Sequence, residues 1–174
     1  FEGEYLNGER NGKGKEYYQN GFLEYEGEYL NGERNGKGIE YYDKGGKEFE
    51  GEYLNGERIG KGKEYYENGK LKFEGEFLNG EKNGKGKEYY DNGKLKFEGE
   101  FEENGKDKLK EYYYNGNLNF EGEFGENKKG KVKEYYENGI IIIWRRIFKW
   151  KKWNGKSYNI NNKMEYDIND GKGN

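Results

Sequence analysis

The chain has 174 residues, of which 39% are charged and only 30% hydrophobic, yet its net charge is −3 and 18% of it is aromatic, including 19 Tyr. Balanced charge and abundant rings argue against a disordered segment, which is poor in aromatics, while Leu, Ile, Val and Phe together fall below the share usual for a thick aliphatic core. With no Cys and no His, a disulfide framework, thiol or histidine catalysis and the usual zinc ligands are excluded.

The stretch FEGEYLNGERNGKGKEYY opens the chain, and near-copies start at Tyr25, Phe49 and Phe73. The [FY]-E-G-E-[YF] signature begins at Phe1, Tyr25, Phe49, Phe73, Phe97 and Phe120, at intervals of 24 residues and, once, 23. A period of this size marks an array in which each unit rests on its neighbours. Within a unit, Leu71, Phe73, Gly75 and Phe77 alternate with Lys72, Glu74 and Glu76, the pattern of a half-buried strand. The LNGE step then supplies an Asn-Gly hairpin turn. A second alternating stretch, GKGKEYY, follows, and ENGK or DNGK turns the chain into the next unit. Two such turns per unit leave no window for an amphipathic helix. The expected fold is all-β: an elongated, single-layer antiparallel meander of stacked β-hairpins. Tyr suits such a thin layer, because its ring can be buried while its hydroxyl stays at an edge.

Gly3, Gly12 and Gly14, with their copies, lie inside strands, where glycine normally weakens pairing. They are expected to lie beneath aromatic rings from an adjacent strand. Later units replace the second glycine of GKG with Leu109 and Val132, so this face is expected to be the covered one.

Together these residues, YEGEY-x-NG-x-R-x-G-x-G-x-x-x-Y-x-x-G, resemble the MORN (membrane occupation and recognition nexus) repeat, closely over residues 1–139 and loosely beyond. Six units recur in phase. The sequence departs from the usual pattern in having Tyr5, Tyr29, Tyr53 and Phe77 where Trp is common, and Asn before GKG where many members have His. The resemblance implies stacked hairpins in a twisted sheet of about 14 strands, on the order of 65 Å long at the usual strand spacing. The chain begins without Met on the first residue of a repeat, and is expected to be a piece of a longer array.

No catalytic, cofactor or metal site is expected. Thr is absent and the one Ser is Ser157, so no nucleophile triad assembles. The pairs Glu2/Glu4, Glu26/Glu28 and Glu50/Glu52 suit acid–base chemistry in spacing, but they recur in every unit beside Lys and read as a salt-balanced outer face. GERNGKG (Gly8–Gly14) fails as a phosphate loop, with three residues instead of four before Gly-Lys, no Ser or Thr after the lysine, and no helix following.

The irregular segment RRIFKWKKW (Arg145–Trp153) offers a possible anionic-ligand patch of Arg145, Arg146, Lys149, Lys151 and Lys152, interleaved with rings. The bland reading is better. One 23-residue step after Phe120 the next unit should begin at position 143, and the phase resumes at WNGK (Trp153–Lys156). Codons such as TGG AGG AGA ATA TTT AAA TGG would encode the intervening Trp-Arg-Arg-Ile-Phe-Lys-Trp. In a shifted frame the same bases give Phe-Gly-Gly-Glu-Tyr-Leu-Asn-Gly, close to the missing FEGEYLNG. Residues from about 143 to 152 are therefore read as a local frameshift, and 140–174 as a degenerate seventh repeat with a partial continuation.

The function expected is a non-catalytic scaffold that binds proteins or self-associates through an aromatic ridge and open sheet edges. Its candidate residues are Tyr5, Tyr29, Tyr53, Phe77 and Phe101 in one row and Tyr18, Tyr42, Tyr66 and Tyr90 in another, chiefly as packing. The alternative from the resemblance is a tether at an anionic, phosphoinositide-bearing membrane surface. A toxin-neutralising partner, or a targeting array for an enzyme whose catalytic domain lies elsewhere, are further alternatives. Nucleic acid is not expected as a partner, since acids and bases alternate locally. No signal peptide or membrane span is visible, and the expected location is intracellular, cytoplasmic or peripheral to a membrane.

Overall fold

Asn7, Asn31, Asn55 and Asn79 have φ between 50° and 53°, and the glycine after each is also at positive φ. Two consecutive residues in that region make the type I′ turn whose twist matches paired strands. In the full-atom computed structural model, which describes residues 1–101, 108–125, 129–148, 151–158, 161, 163–169 and 172–173, these turns join consecutive antiparallel strands. Contacts divide the chain into two units, Phe1–Gly93 and Lys94–Asn174.

The first unit contains β1 (Glu2–Leu6), β2 (Glu9–Tyr17), β3 (Leu23–Leu30), β4 (Glu33–Tyr41), β5 (Lys47–Leu54), β6 (Glu57–Tyr65), β7 (Leu71–Leu78) and β8 (Glu81–Tyr89). Each pairs with the next in sequence, without crossovers. The second connection of each repeat is a five-residue loop, 18–22 in the first. Gly21 N–H donates to Tyr18 O at 2.9 Å, Gly21 is at φ 85°, and Asn20 Oδ1 accepts from Phe22 N at 3.1 Å. Tyr18 Oη then donates to the backbone oxygen of Tyr41 at 2.6 Å, and Tyr66 Oη to that of Tyr89 at 2.7 Å. These hydroxyls tie one repeat's loop to the next repeat's strand.

Rings and glycines make the core. Tyr25, Phe49 and Phe73 are fully buried. A Cβ on Gly38 would lie 2.2 Å from Tyr25 Oη, one on Gly62 2.5 Å from Phe49 Cζ, and one on Gly75 2.6 Å from Phe73 Cζ. The ring comes from the signature position two residues before the first glycine and reaches across to the glycine of the paired strand. Tyr25 meets Tyr29 and Tyr53 edge to face at 5.4 and 5.3 Å, and Phe49 meets Tyr53 and Phe77 at 5.6 and 5.1 Å. Such pairs contribute about 0.5–1.5 kcal/mol each beyond area burial. The aromatic layer is thus continuous from repeat to repeat, which is why one hairpin alone, marginal in water, is stable in the stack.

Gly12 departs from the expectation. Its φ is +72°, and Gly36, Gly60 and Gly84 follow it. The register shifts between Gly3 and Tyr5 opposite this segment, so the glycine serves a bulge. No ring covers it; a Cβ there would meet the Glu4 carboxylate.

The second unit contains β9 (Leu95–Glu100), β10 (Lys108–Tyr112), β11 (Leu118–Gly125), β12 (Lys129–Tyr135), β13 (Ile141–Phe148), β14 (Lys151–Tyr158), β15 (Met164–Asn169) and β16 (Lys172–Gly173). They too pair antiparallel in sequence order. Val132 is buried against Leu109 and Phe120, so the apolar replacements do lie on the covered face. Gly122 pairs with Val132, and Val132 with Arg145. Position 145 therefore stands in register where earlier repeats have the signature glycine. Ile143, buried, stands where they have the ring.

Candidate interaction surfaces

Alternation gives each strand of the first unit two faces. On the ring face, Tyr25 stands opposite Glu16 on one side and Glu40 on the other. Arg34 lies over the Tyr25 ring with Cζ 4.3 Å from the centroid, bonded to Glu16 Oε2 at 2.7 Å and Glu40 Oε1 at 2.8 Å. Arg58 repeats this over Phe49 at 4.3 Å, held by Glu40 and Glu64. In the fourth copy, Lys82 lies over Phe73 with Nζ 4.5 Å from the centroid, between Glu64 and Glu88. The layers run from glycine backbone to ring to cation to carboxylate. Burial alone would raise the Glu16 carboxyl, but the hydrogen bond and charge of Arg34 prevail and hold it below the usual range. Each of Glu16, Glu40 and Glu64 is shared by the cations of two successive repeats, so removing one cation strips half-buried carboxylates of part of their pairing.

The opposite face carries a cross-strand row of Glu2, Lys15, Glu26, Ile39, Glu50 and Lys63. Acid and base alternate except at Ile39. A shallow groove runs over the bare backs of Gly14, Gly27 and Gly38 between this row and the one containing Lys13, Glu28 and Lys37. Tyr41 Oη donates to Glu26 at 2.6 Å and Tyr89 Oη to Glu74 at 2.7 Å; Tyr65 donates to Glu50 likewise. The Lys47 hydrogen bond, then that of Tyr65, hold Glu50 below its ordinary value, while burial pushes the Tyr41 phenol up to about 12. Beside the Asn-Gly turns, Leu6, Leu30, Leu54 and Leu78 are each about half exposed.

The expected contact residues sort by location. Tyr29, Tyr53 and Phe77 are 3%, 2% and 4% exposed, so they are core; Tyr5, at the β1 edge, is 59% exposed. Phe101 is half-buried, 4.9 Å from Phe97. Tyr18, Tyr42, Tyr66 and Tyr90 are half-buried in the loops. Arg145 and Arg146 are on β13, Lys151 and Lys152 on β14, and Lys149 lies outside the described residues. The structure adds the cation–carboxylate clamp over the rings and the tyrosine–glutamate bonds of the other face. Their signal is the base nine residues after the signature ring in the first four repeats, Arg10, Arg34, Arg58 and Lys82, and the Tyr fifteen residues after the first signature Glu in those repeats and fourteen in the next two.

Among the described residues, no group of three or more His, Cys, Asp or Glu is placed to hold a metal ion, and no helix is long and apolar enough to cross a membrane. The family model described as MORN repeat matches residues 1–22, 25–47 and 73–94, and that described as MORN repeat variant matches 58–79 and 128–143. A search of curated proteins returns no match.

Proposed function

Because the chain belongs to the MORN repeat family, a non-catalytic repeat type, we propose that it is a scaffold that binds proteins or assembles with other arrays along its exposed strands. One observation carries this reading. The signature rings are consumed in packing, while Leu6, Leu30, Leu54 and Leu78 recur every 24 residues as exposed apolar side chains beside a charged face. An evenly spaced apolar row rimmed by alternating charges suits an extended protein segment. Replacing Leu30, Leu54 and Leu78 by Ser tests it, because those side chains support little of the fold. The scaffold reading expects cross-links between captured proteins and this row, lost in the triple variant with the melting temperature kept. Unchanged capture and cross-linking would remove the leucine row from the account.

The basic run from Arg145 to Lys152 supports a membrane-surface tether as a second reading. The alternating Glu and Lys of the first unit disfavour it, since adjacent acids cancel the attraction that basic residues have for anionic lipid. Flotation with phosphatidylserine vesicles at low and high salt separates the two. Salt-sensitive binding supports the tether, and no binding opposes it.

A further inference from the structure

We propose that the glycine-floored groove on the face opposite the rings binds a polyproline II segment that carries a cation at every third residue. Such a segment is a partner class for the scaffold reading, on which it rests, at a surface other than the leucine row. The floor of the groove is main chain. Gly14, Gly27, Gly38 and Gly51 stand in one cross-strand row, and a Cβ on Gly38 would point away from the groove into the Tyr25 ring. The walls are the residues on either side of each glycine: Glu26 and Glu28 on β3, Lys37 and Ile39 on β4, Glu50 and Glu52 on β5.

The acids of one wall are already engaged. Glu26 has Lys15 at 3.6 Å and the Tyr41 hydroxyl at 2.6 Å, and Glu50 has Lys47 at 2.6 Å. On the other wall, Lys13, Lys37 and Lys61 stand opposite Glu28, Glu52 and Glu76, yet those three carboxylates have no ion-pair partner among the described residues. The Glu28 carboxylate takes the place that a Gly36 Cβ would fill, and that of Glu76 the place at Gly84. Their head groups thus lean outward from the floor, and methylene stems line the groove beneath an acid rim. Ile39 sharpens the sign. It stands where β6 has Lys63, so from β3 to β5 the walls hold four carboxylates and Lys37.

The spacing of the rim acids selects the occupant. Glu28, Glu52 and Glu76 lie on every second strand, and at the usual strand separation they recur about every 9.6 Å. A polyproline II chain has three residues per turn and rises about 3.1 Å per residue, so every third side chain returns to one flank at about 9.3 Å. An extended β-strand repeats at about 6.8 Å and is out of step by the second acid. An α-helix is about 10–12 Å across, too wide for walls two residues apart along a strand, about 6.8 Å. Polyproline II has no internal hydrogen bonds, so its carbonyls are open to Lys37 and Lys61 between the acids. Prolines turned to the floor pack on glycine and methylene stems, while the cations on one flank meet Glu28, Glu52 and Glu76 in turn.

The test titrates a labelled peptide of four Lys-Pro-Pro repeats with the full chain, reading its anisotropy and the amide NMR signals of Gly27, Gly38 and Gly51. Saturable binding that shifts those three signals is expected. It should weaken about tenfold in a chain with Glu28→Gln, Glu52→Gln and Glu76→Gln whose melting temperature is kept, and about threefold with Ile39→Lys. A peptide of the same composition, with its lysines at alternate positions, should bind about tenfold more weakly than the repeat. No saturable binding at millimolar peptide, equal binding of the two peptides, or indifference to the glutamine variant would overturn the proposal. The same glycine shifts on concentrating the chain alone would give the groove to a second copy and overturn it too. The leucine variants leave this groove intact, so failure here leaves the leucine-row reading standing, and the reverse holds.

Discussion

Gly62→Ala gives the sharpest contrast with ordinary β-strand behaviour. In a strand interior, replacing Gly by Ala normally stabilises by about 0.5–1 kcal/mol, through the reduced freedom of the unfolded chain. Here the new Cβ would stand 2.5 Å from Phe49 Cζ and 2.6 Å from Cε2, against 3.4–4 Å for ordinary contact, so the ring must retreat by close to an ångström. Overpacking of that kind costs about 1–3 kcal/mol. The retreat also loosens two edge-to-face contacts, with Tyr53 and Phe77, worth about 0.5–1.5 kcal/mol each. The net expectation is a loss of about 2 kcal/mol. In a Phe49→Val background the nearest remaining side-chain atom is Phe77 Cε2 at 3.2 Å, and the same change should be neutral or slightly stabilising. Urea unfolding of the four chains of this double-mutant cycle reads the coupling. A stabilising Gly62→Ala in the native background would refute the ring-on-glycine reasoning.

Other consequences follow from the same layers. Tyr53 Oη is buried and finds no hydrogen-bond partner among the described residues, and the next repeat has Phe77 at that place; Tyr53→Phe should be neutral or stabilising by about 1 kcal/mol in thermal melts. Arg58→Ala leaves half-buried Glu40 and Glu64 with one cation each, Arg34 and Lys82, and should cost about 1.5–3 kcal/mol through the lost charged hydrogen bonds, whereas Arg58→Lys should restore part of it, as Lys82 does over Phe73. Glu50 and Glu121 are held down by bonds to Lys47 and Lys133, ahead of those from Tyr65 and Tyr135. A depressed carboxyl stabilises above its unfolded value and loses that contribution as pH falls through its folded one. Glu48, raised by burial, acts in the opposite sense, so the urea midpoint should fall below about pH 4.5, less steeply than the depressed pair alone would give. Burial raises Tyr41 and Tyr112 to about 12. The unfolded chain then ionises first, and stability should be lost as pH rises from about 10 to 12, seen as a cooperative rise in tyrosinate absorbance.

Much of this fold can be read in the residues, because local chemistry and global pattern agree. Asn7-Gly8 is a type I′ turn in sequence and in space, and Leu109 and Val132 mark the covered face because an apolar residue replaces a glycine there. Gly12 and Gly14 look alike in sequence but not in space. Gly14 lies beneath Phe1, while Gly12 takes positive φ at a bulge, a distinction fixed by pairing across strands. The clamp of Arg34 by Glu16 and Glu40 joins β2 and β4, from two repeats, over the Tyr25 ring of β3, so local alternation alone reads those charges as solvated. Burial likewise decides between contact and packing for the first aromatic row. Tyr29 and Tyr53 share a motif position with Tyr5, and only neighbouring strands make the first two core. The segment after Ile140 keeps its register despite its altered residues. The backbone ladder pairs main-chain groups, so it carries Ile143 and position 145 in the places of ring and glycine.

The central physical claim is that rings lie against bare glycine backbone in repeat after repeat. Proton NMR of the intact chain addresses it directly. Phe49 and Tyr25 ring protons should show strong cross-relaxation to the α-protons of Gly62 and Gly38, with those α-protons displaced far upfield, while Gly32 and Gly56 in the exposed turns stay near unshifted positions. Gly62 and Gly38 α-protons at unshifted positions, with no contact to either ring, would contradict the account.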